Sequence, residues 1–359
     1  MATRKTVKRR EKGSLTISAI DLFCGAGGLT HGLVKQSVVV KAGFDIDPMC
    51  RYAFEYNNGV PFVQKDVRKV SKRDIKSFFA SGDVTVIAGC APCQPFSKYT
   101  QGRDTSTEKK WAMLYEFARI VEEALPDVVT MENVPQLLRH NVYQDFQYRL
   151  TRLGYEVTSS VVFCPNYGIP QTRHRLVLLA SRLGPIKLLK PSVKPEKYKT
   201  VRQVIGKLPD IQAGETSKID RLHAASTLSE KNQMRIKASK PDGSWLDWDR
   251  GLVADCHRKA GRQTYRSVYG RMSWDKPSPT ITTQFVGFGN GRFGHPDQDR
   301  AISLREGALL QTFPKSYRFV EPGNQVYFKH VARLIGNAVP VKLGEVIGKS
   351  IRLHVEAFA

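Results

Sequence analysis

Long apolar runs are missing from this sequence. No stretch approaches the roughly 18 residues that a bilayer-spanning helix needs, which excludes a membrane-embedded function. The opening segment, Met1 to Lys12, has no apolar core between its charges, so no secretory signal is expected and the protein should stay in the compartment where it is made. Acidic residues are scarce beside basic ones: 33 Asp and Glu against 56 Lys and Arg leave a formal net charge of +23. Such an imbalance points to a polyanionic partner, because each cation set against a phosphate releases condensed counterions; a merely solubilising surface is the competing reading. Cysteine is sparse too, and Cys24, Cys50, Cys90, Cys93, Cys164 and Cys256 lie mostly in apolar or glycine-rich settings. Reduced thiols are expected in place of a disulfide framework. Internal repeats and low-complexity tracts are absent.

What is present is an alternation of strand, glycine turn and helix. Residues 1–14 read as a basic, disordered tail. Apolar, β-rich runs then occur at Leu15 to Phe23, Val38 to Asp45, Val84 to Ala88, Asp127 to Met131, Tyr155 to Phe163 and Leu176 to Ala180, and Trp111 to Ala124 reads as an amphipathic helix. The expected fold is α/β, a doubly wound, mostly parallel sheet with helices on both faces. Residues 15–183 form its cofactor-binding and catalytic domain. From Gly184 to Met272 the chain turns rich in Lys, Arg, Pro, Gly and Ser and loses periodicity, so a second, smaller and irregular domain is expected over 184–272. Residues 273–359 return to the catalytic domain, with a helical pattern from Ser303 and a closing helix over Val339 to His354.

Two places carry chemistry. In DLFCGAGGLTHGL, Gly25, Gly27 and Gly28 follow a strand and precede a helix, where glycine lets the backbone approach a ligand. The third glycine of a dinucleotide fingerprint is replaced by Thr30, which favours an uncharged-linker nucleotide of the S-adenosylmethionine type. Asp45, about 20 residues on, can accept both ribose hydroxyls; Ile46 can pack on the adenine face, and Asp66 can accept from the adenine amino group. Each acid alone is as consistent with a loop cap.

The second place is GCAPCQPFSKY, at the carboxyl end of a buried strand, where open α/β sheets bind ligands. Pro92 and Pro95 restrict the backbone around Cys93, whose thiolate would be a strong nucleophile. A tight turn with a buried thiol and a Cys90/Cys93 redox pair remain open alternatives. Ser97 to Lys110 reads as a loop able to close over a substrate. Glu132 ends the strand DVVTM at the same rim, suited to proton chemistry, with Asn133 able to fix the loop. Gln171, Arg173 and Arg175 alternate, so all three are expected on one strand face. Two guanidiniums there are costly unless they bind something, or unless the strand is an exposed edge paired with acids.

In this order, DLFCGAGGLTHG, PCQPFS, MENV, QTRHR, REGALLQTFP and GNAVP resemble the motif set of DNA (cytosine-5) methyltransferases, over a span from about Ile20 to the end. The resemblance implies Cys93 as the attacking thiolate, Glu132 as the acid at cytosine N3, Arg175 as donor to O2 and Arg173 as support for Glu132. It also implies that Phe23, Gly25, Gly28, Asp45, Ile46, Asp66 and Asn337 hold S-adenosylmethionine, that no metal takes part, and that 184–272 recognises the target sequence. Cys90 departs from the glycine common before the Pro-Cys pair, and Cys90→Ser is expected to be nearly silent. Double-stranded DNA is the expected partner and a cytoplasmic monomer, nucleoid-associated in a prokaryote, the expected state; pairing with a restriction endonuclease is left open. An RNA cytosine methyltransferase and a catalytically dead DNA-binding relative are the rival readings.

Overall fold

A computed structural model describes residues 15–92, 112–258 and 265–358. Seven strands form one sheet: β1 (Ile17–Leu22), β2 (Val39–Asp45), β3 (Phe62–Gln64), β4 (Val84–Gly89), β5 (Val128–Asn133), β6 (Glu156–Phe163) and β7 (His174–Ser181). Their order is β3-β2-β1-β4-β5-β7-β6, parallel from β3 to β5, with β7 antiparallel to β5 and β6 antiparallel to β7. The chain leaves β1 toward β2 and β3, then returns to β4 on the other side. That reversal opens a crevice at the carboxyl ends of β1 and β4, where ligands bind in such sheets.

Period-2 alternation sends each strand's apolar residues to two cores. On β7, Val177 and Leu179 join the core on one face, whereas Leu176, Leu178 and Ala180 join the other. The first core is covered by α1 (Gly28–Val34), α2 (Arg51–Asn58) and the closing helix α11 (Val341–Phe358); the second by α3 (Lys72–Lys76), α4 (Ala112–Ala124) and α5 (Asn141–Arg152). Helices α1 and α11 touch backbone to backbone, since a Cβ at Gly32 would lie 2.4 Å from the carbonyl carbon of Gly344.

Between β7 and α9 (Leu304–Leu310) the only α-helices of the described residues are α6 (Val201–Ile205), α7 (Glu230–Ala238) and α8 (Asp255–Arg258). A small separate core of Ile236, Trp245, Trp248, Phe288 and Ala301 holds this irregular region. With few ladders available, its backbone carbonyls need other donors. The buried Arg271 guanidinium supplies them, donating to the carbonyls of Ile236, Ser239, His295 and Gln298. Helix α10 (Phe328–Asn337) then leads back to the sheet.

Three details differ from the sequence reading. Strand β3, only three residues long behind Pro61, gives no pattern long enough to read. The direction of β6 and β7 is set by pairing that composition does not encode. Strand β7 begins at His174, so Gln171 and Arg173 precede it and, of the three, only Arg175 lies on the strand. Fully buried, Gln171 instead staples neighbouring segments: its Nε2 donates to the Leu310 carbonyl and to Gln311 Oε1, and its Oε1 accepts from Ile281 N.

Candidate active site

Antiparallel pairing of β5 with β7 brings the end of one strand beside the start of the other, although they are about 40 residues apart in sequence. Glu132, 3% exposed, thereby meets Arg175: Nε lies 2.8 Å from Oε1. The pair is electrostatic only, because the N–H is not aligned and Oε1 accepts no hydrogen bond. From the adjoining strand end, Cys90 Sγ donates to Glu132 Oε2 at 3.0 Å. Arg173 is buried, donating through Nη1 to the Ile281 carbonyl at 2.9 Å, while its Nε has no hydrogen-bond partner. Burial and the neighbouring Arg175 pull its pKa down to about 9, which leaves it charged near neutrality. Asn133 Nδ2 donates to the Ala91 carbonyl at 3.0 Å and so anchors the turn that leads toward Cys93. Cys93 itself, like the Ser97 to Lys110 segment, lies outside the described residues.

The predicted cofactor residues gather, with one qualification, at the crevice beside this cluster. Phe23 and Gly25 turn the chain out of β1 at positive φ (60° and 52°), and a Cβ on Gly25 would meet nothing within 4 Å. Gly25 N donates to Asp45 Oδ2 at 2.9 Å, and Asp47 N to Oδ1 at 3.0 Å. Burial raises the pKa of the Asp45 carboxyl. Ile46 beside it is 61% exposed, a costly setting for an apolar side chain at the mouth of a crevice unless something covers it. Gly28 abuts Val339, where a Cβ would strike the carbonyl oxygen at 2.3 Å, and Asn337 sits exposed two residues earlier at the end of α10. The qualification is Asp66. Its carboxylate is gripped by the Arg68 side chain at 2.9 Å and caps the Arg68 backbone N–H, which lowers its pKa.

Sequence reasoning passed over Asp21. It is buried under the glycine turn, where Thr30 Oγ1 donates to Oδ2 at 2.7 Å and Oδ1 has no partner; desolvation raises its pKa to about 7. An acid inside an otherwise apolar strand was the available signal. Arg235 and Arg271, both within the expected recognition domain, are buried and committed to Leu252 and to the carbonyls named above, so neither is free to read a base. A cleft of about 1260 Å³ separates this irregular region from α10, with Asn232, Tyr269, Gln284, Asn290, Lys329 and Arg333 on its walls. It adjoins the Glu132 cluster through a short segment: the Ile281 carbonyl accepts from Arg173, and Gln284 lines the cleft.

The family model for C-5 cytosine-specific DNA methylase matches residues 17–353. The chain belongs to that family. Among relatives of this DNA methylase, the Type II methylase M.HgiDII of Herpetosiphon aurantiacus is 52% identical over 342 residues, spanning 94% of this chain and 96% of that one. The Type II methyltransferase M1.HphI of Haemophilus parahaemolyticus is 29% identical, spanning 94% and 87%. The solved structure of Spodoptera frugiperda DNMT2 superposes with a TM-score of 0.65 at 16% identity over 94% of this chain and all of that one, a likeness of fold alone. The cluster at the carboxyl edge therefore lies in a DNA cytosine-5 methyltransferase. Among the described residues of the methylase, no helix is long and apolar enough to cross a membrane and no group of side chains is arranged to hold a metal ion.

Proposed function

We propose that the enzyme transfers a methyl group from S-adenosylmethionine to C5 of a flipped-out cytosine in a specific duplex DNA sequence, through a covalent bond between Cys93 and C6. The observation that carries this reading is the buried Glu132 carboxylate near the end of β5, set between Arg175 and Cys90, the residue that follows β4 on the way to Cys93. Cytosine C5 is too weak a nucleophile by itself. Addition of the Cys93 thiolate to C6, with Glu132 in its carboxylic acid form donating to N3 and taking the proton back when the ring is restored, pushes electron density onto C5. Arg175 donates to O2, and Arg173 keeps a second positive charge beside Glu132. After C5 has taken the methyl group, loss of its proton and departure of Cys93 restore the aromatic ring; no residue is assigned as the base for that proton.

The fit to S-adenosylmethionine rests on the open space beside Gly25, the carboxylate of Asp45 and the uncovered Ile46. Phe23, Gly25, Gly28, Asp45, Ile46 and Asn337 would hold it, with Asp66 reaching the adenine amino group once it shares its carboxylate between Arg68 and the ligand. When bound, it supplies an electrophilic methyl on a sulfonium. The target base cannot reach these residues from inside a stacked duplex, so extrusion costs a few kcal/mol. Phosphate contacts from the basic surface offset that cost. The cleft between the irregular region and α10 carries Asn232, Gln284 and Lys329, side-chain types suited to contacting base edges and phosphates. We take the recognition unit to be 184–272 together with the cleft-lining residues up to Asn290. The enzyme acts as a cytoplasmic monomer on DNA, and the Type II names of its relatives favour pairing with a restriction endonuclease.

Bisulfite sequencing of DNA from cells expressing the protein should show methylated cytosine in one short sequence, lost in Cys93→Ser. A duplex carrying 5-fluorocytosine at that site should trap a covalent adduct through Cys93. Adduct formation by Cys93→Ser, or equal methylation of transfer RNA, would overturn the reading.

A further inference from the structure

Glutamate has three rotatable side-chain bonds, and the orientation of a buried carboxylate about the last of them is set by its hydrogen-bond donors. A catalytic carboxylate needs one oxygen aimed at its target and the other held. Arg175 does not provide the hold, since its contact to Oε1 lacks hydrogen-bond alignment. Cys90 does, through Sγ on Oε2 at 3.0 Å. The thiol is itself rigidly mounted. Cys90 N donates to the Leu22 carbonyl, and the preceding Gly89 is pressed so closely between strands and α4 that a Cβ there would lie 2.7 Å from both Leu22 O and the Phe117 ring.

We propose that Cys90 is a positioning residue: its thiol holds Oε2 of Glu132 and thereby presents Oε1, the oxygen with no aligned donor and the one that carries the proton in the reaction, to N3 of the extruded cytosine. This rests on the reading that Glu132 engages N3. It also gives Cys90 a place in the chemistry without any redox role, and it explains why a serine there should work, since a hydroxyl is also a donor.

The test is single-turnover methyl transfer, measured across pH on a duplex containing the mapped site, with the cofactor and DNA dissociation constants determined in parallel. Cys90→Ser should stay within about twofold of the parent, because the donor is kept. Cys90→Ala should be about fivefold slower at saturating DNA with unchanged dissociation constants, as expected for losing a weak donor to a charged acceptor. Its pH–rate midpoint should move upward, because the carboxylate form has lost a hydrogen bond. Should Cys90→Ala fail to fold, Cys90→Val fills the thiol's volume without a donor and must show the same loss. An alanine variant with the parent's rate and midpoint would overturn the inference, as would equal losses in serine and alanine. Glu132→Gln separates the two ideas: if it keeps the parent's rate, the role of Glu132 at N3 fails; if it is slow while Cys90→Ala is not, only the role of Cys90 fails.

Discussion

Glu132 and Glu306 are both buried carboxylates paired with arginine, yet their surroundings differ. Glu306, in the first turn of α9, is saturated: Arg300 grips it with Nη1 at 2.7 Å and Nη2 at 2.8 Å, and Ser303 N donates at 2.6 Å. Arg300 in turn spends its other donors on the Ile211 and Ala301 carbonyls and on Gln298. Together these bonds lock the irregular region to α9. Glu132 has an off-axis cation and a single thiol donor. A fully satisfied buried charge rigidifies a fold, whereas one kept partly unsatisfied retains capacity for a ligand.

The contrast can be broken in order of effect. Glu132→Gln should reduce single-turnover methylation by about 10² to 10⁴, the usual range for a lost acid or base, while the melting temperature moves by less than about 3 °C. A collapse of stability in parallel with activity would place Glu132 with Glu306. Conversely, Arg300→Ala strands a buried carboxylate and should cost about 3 to 5 kcal/mol of stability in urea unfolding, with the remaining folded enzyme still active.

Acid titration sharpens the same point. The cations beside Glu306 hold its carboxyl down to about 2 despite burial, below the ordinary 4.5 of an unfolded chain. Its stabilisation, on the order of 3 kcal/mol, is present above pH 4.5 and is lost as pH falls toward 2. Nearby His295 is depressed to about 4, chiefly by burial, so its share disappears between pH 6.5 and 4. A stability profile should therefore show two descending steps, and Glu306→Gln should flatten the lower one. Next in size, Arg175→Ala should slow methyl transfer by about 10² while leaving the salt dependence of DNA binding unchanged, as the proposed contact to cytosine O2 requires. Least of all, Gly25→Ala meets no atoms but forces a side chain into positive φ, a cost of about 1 to 2 kcal/mol. Cofactor titration should show weaker binding with an unchanged rate once saturated.

The centre of the sheet was legible because strands such as Ile17–Leu22 and Val128–Asn133 are buried on both faces and read as uninterrupted β-rich runs. Glu132 stood out because an acid closes one of those runs. The start of α9 was visible as a helical pattern returning from Ser303, and in the structure Ser303 and Glu306 close it with a capping box. Gln171 was misread, since alternation alone cannot say where a strand begins. The role of Arg271 as a staple was not legible, because composition does not distinguish a cation at the surface from one consumed by carbonyls.

By itself the sequence determined where the strands, the glycine turn and the reactive side chains lie along the chain, because local periodicity and turn chemistry act over a few residues. Only the tertiary structure decided that Cys90 meets Glu132 across 42 residues, that Arg175 approaches that carboxylate off-axis, and that Gln171 and Arg271 are staples. Those contacts arise from strand order and antiparallel pairing, and such long-range geometry depends on how all the elements pack together.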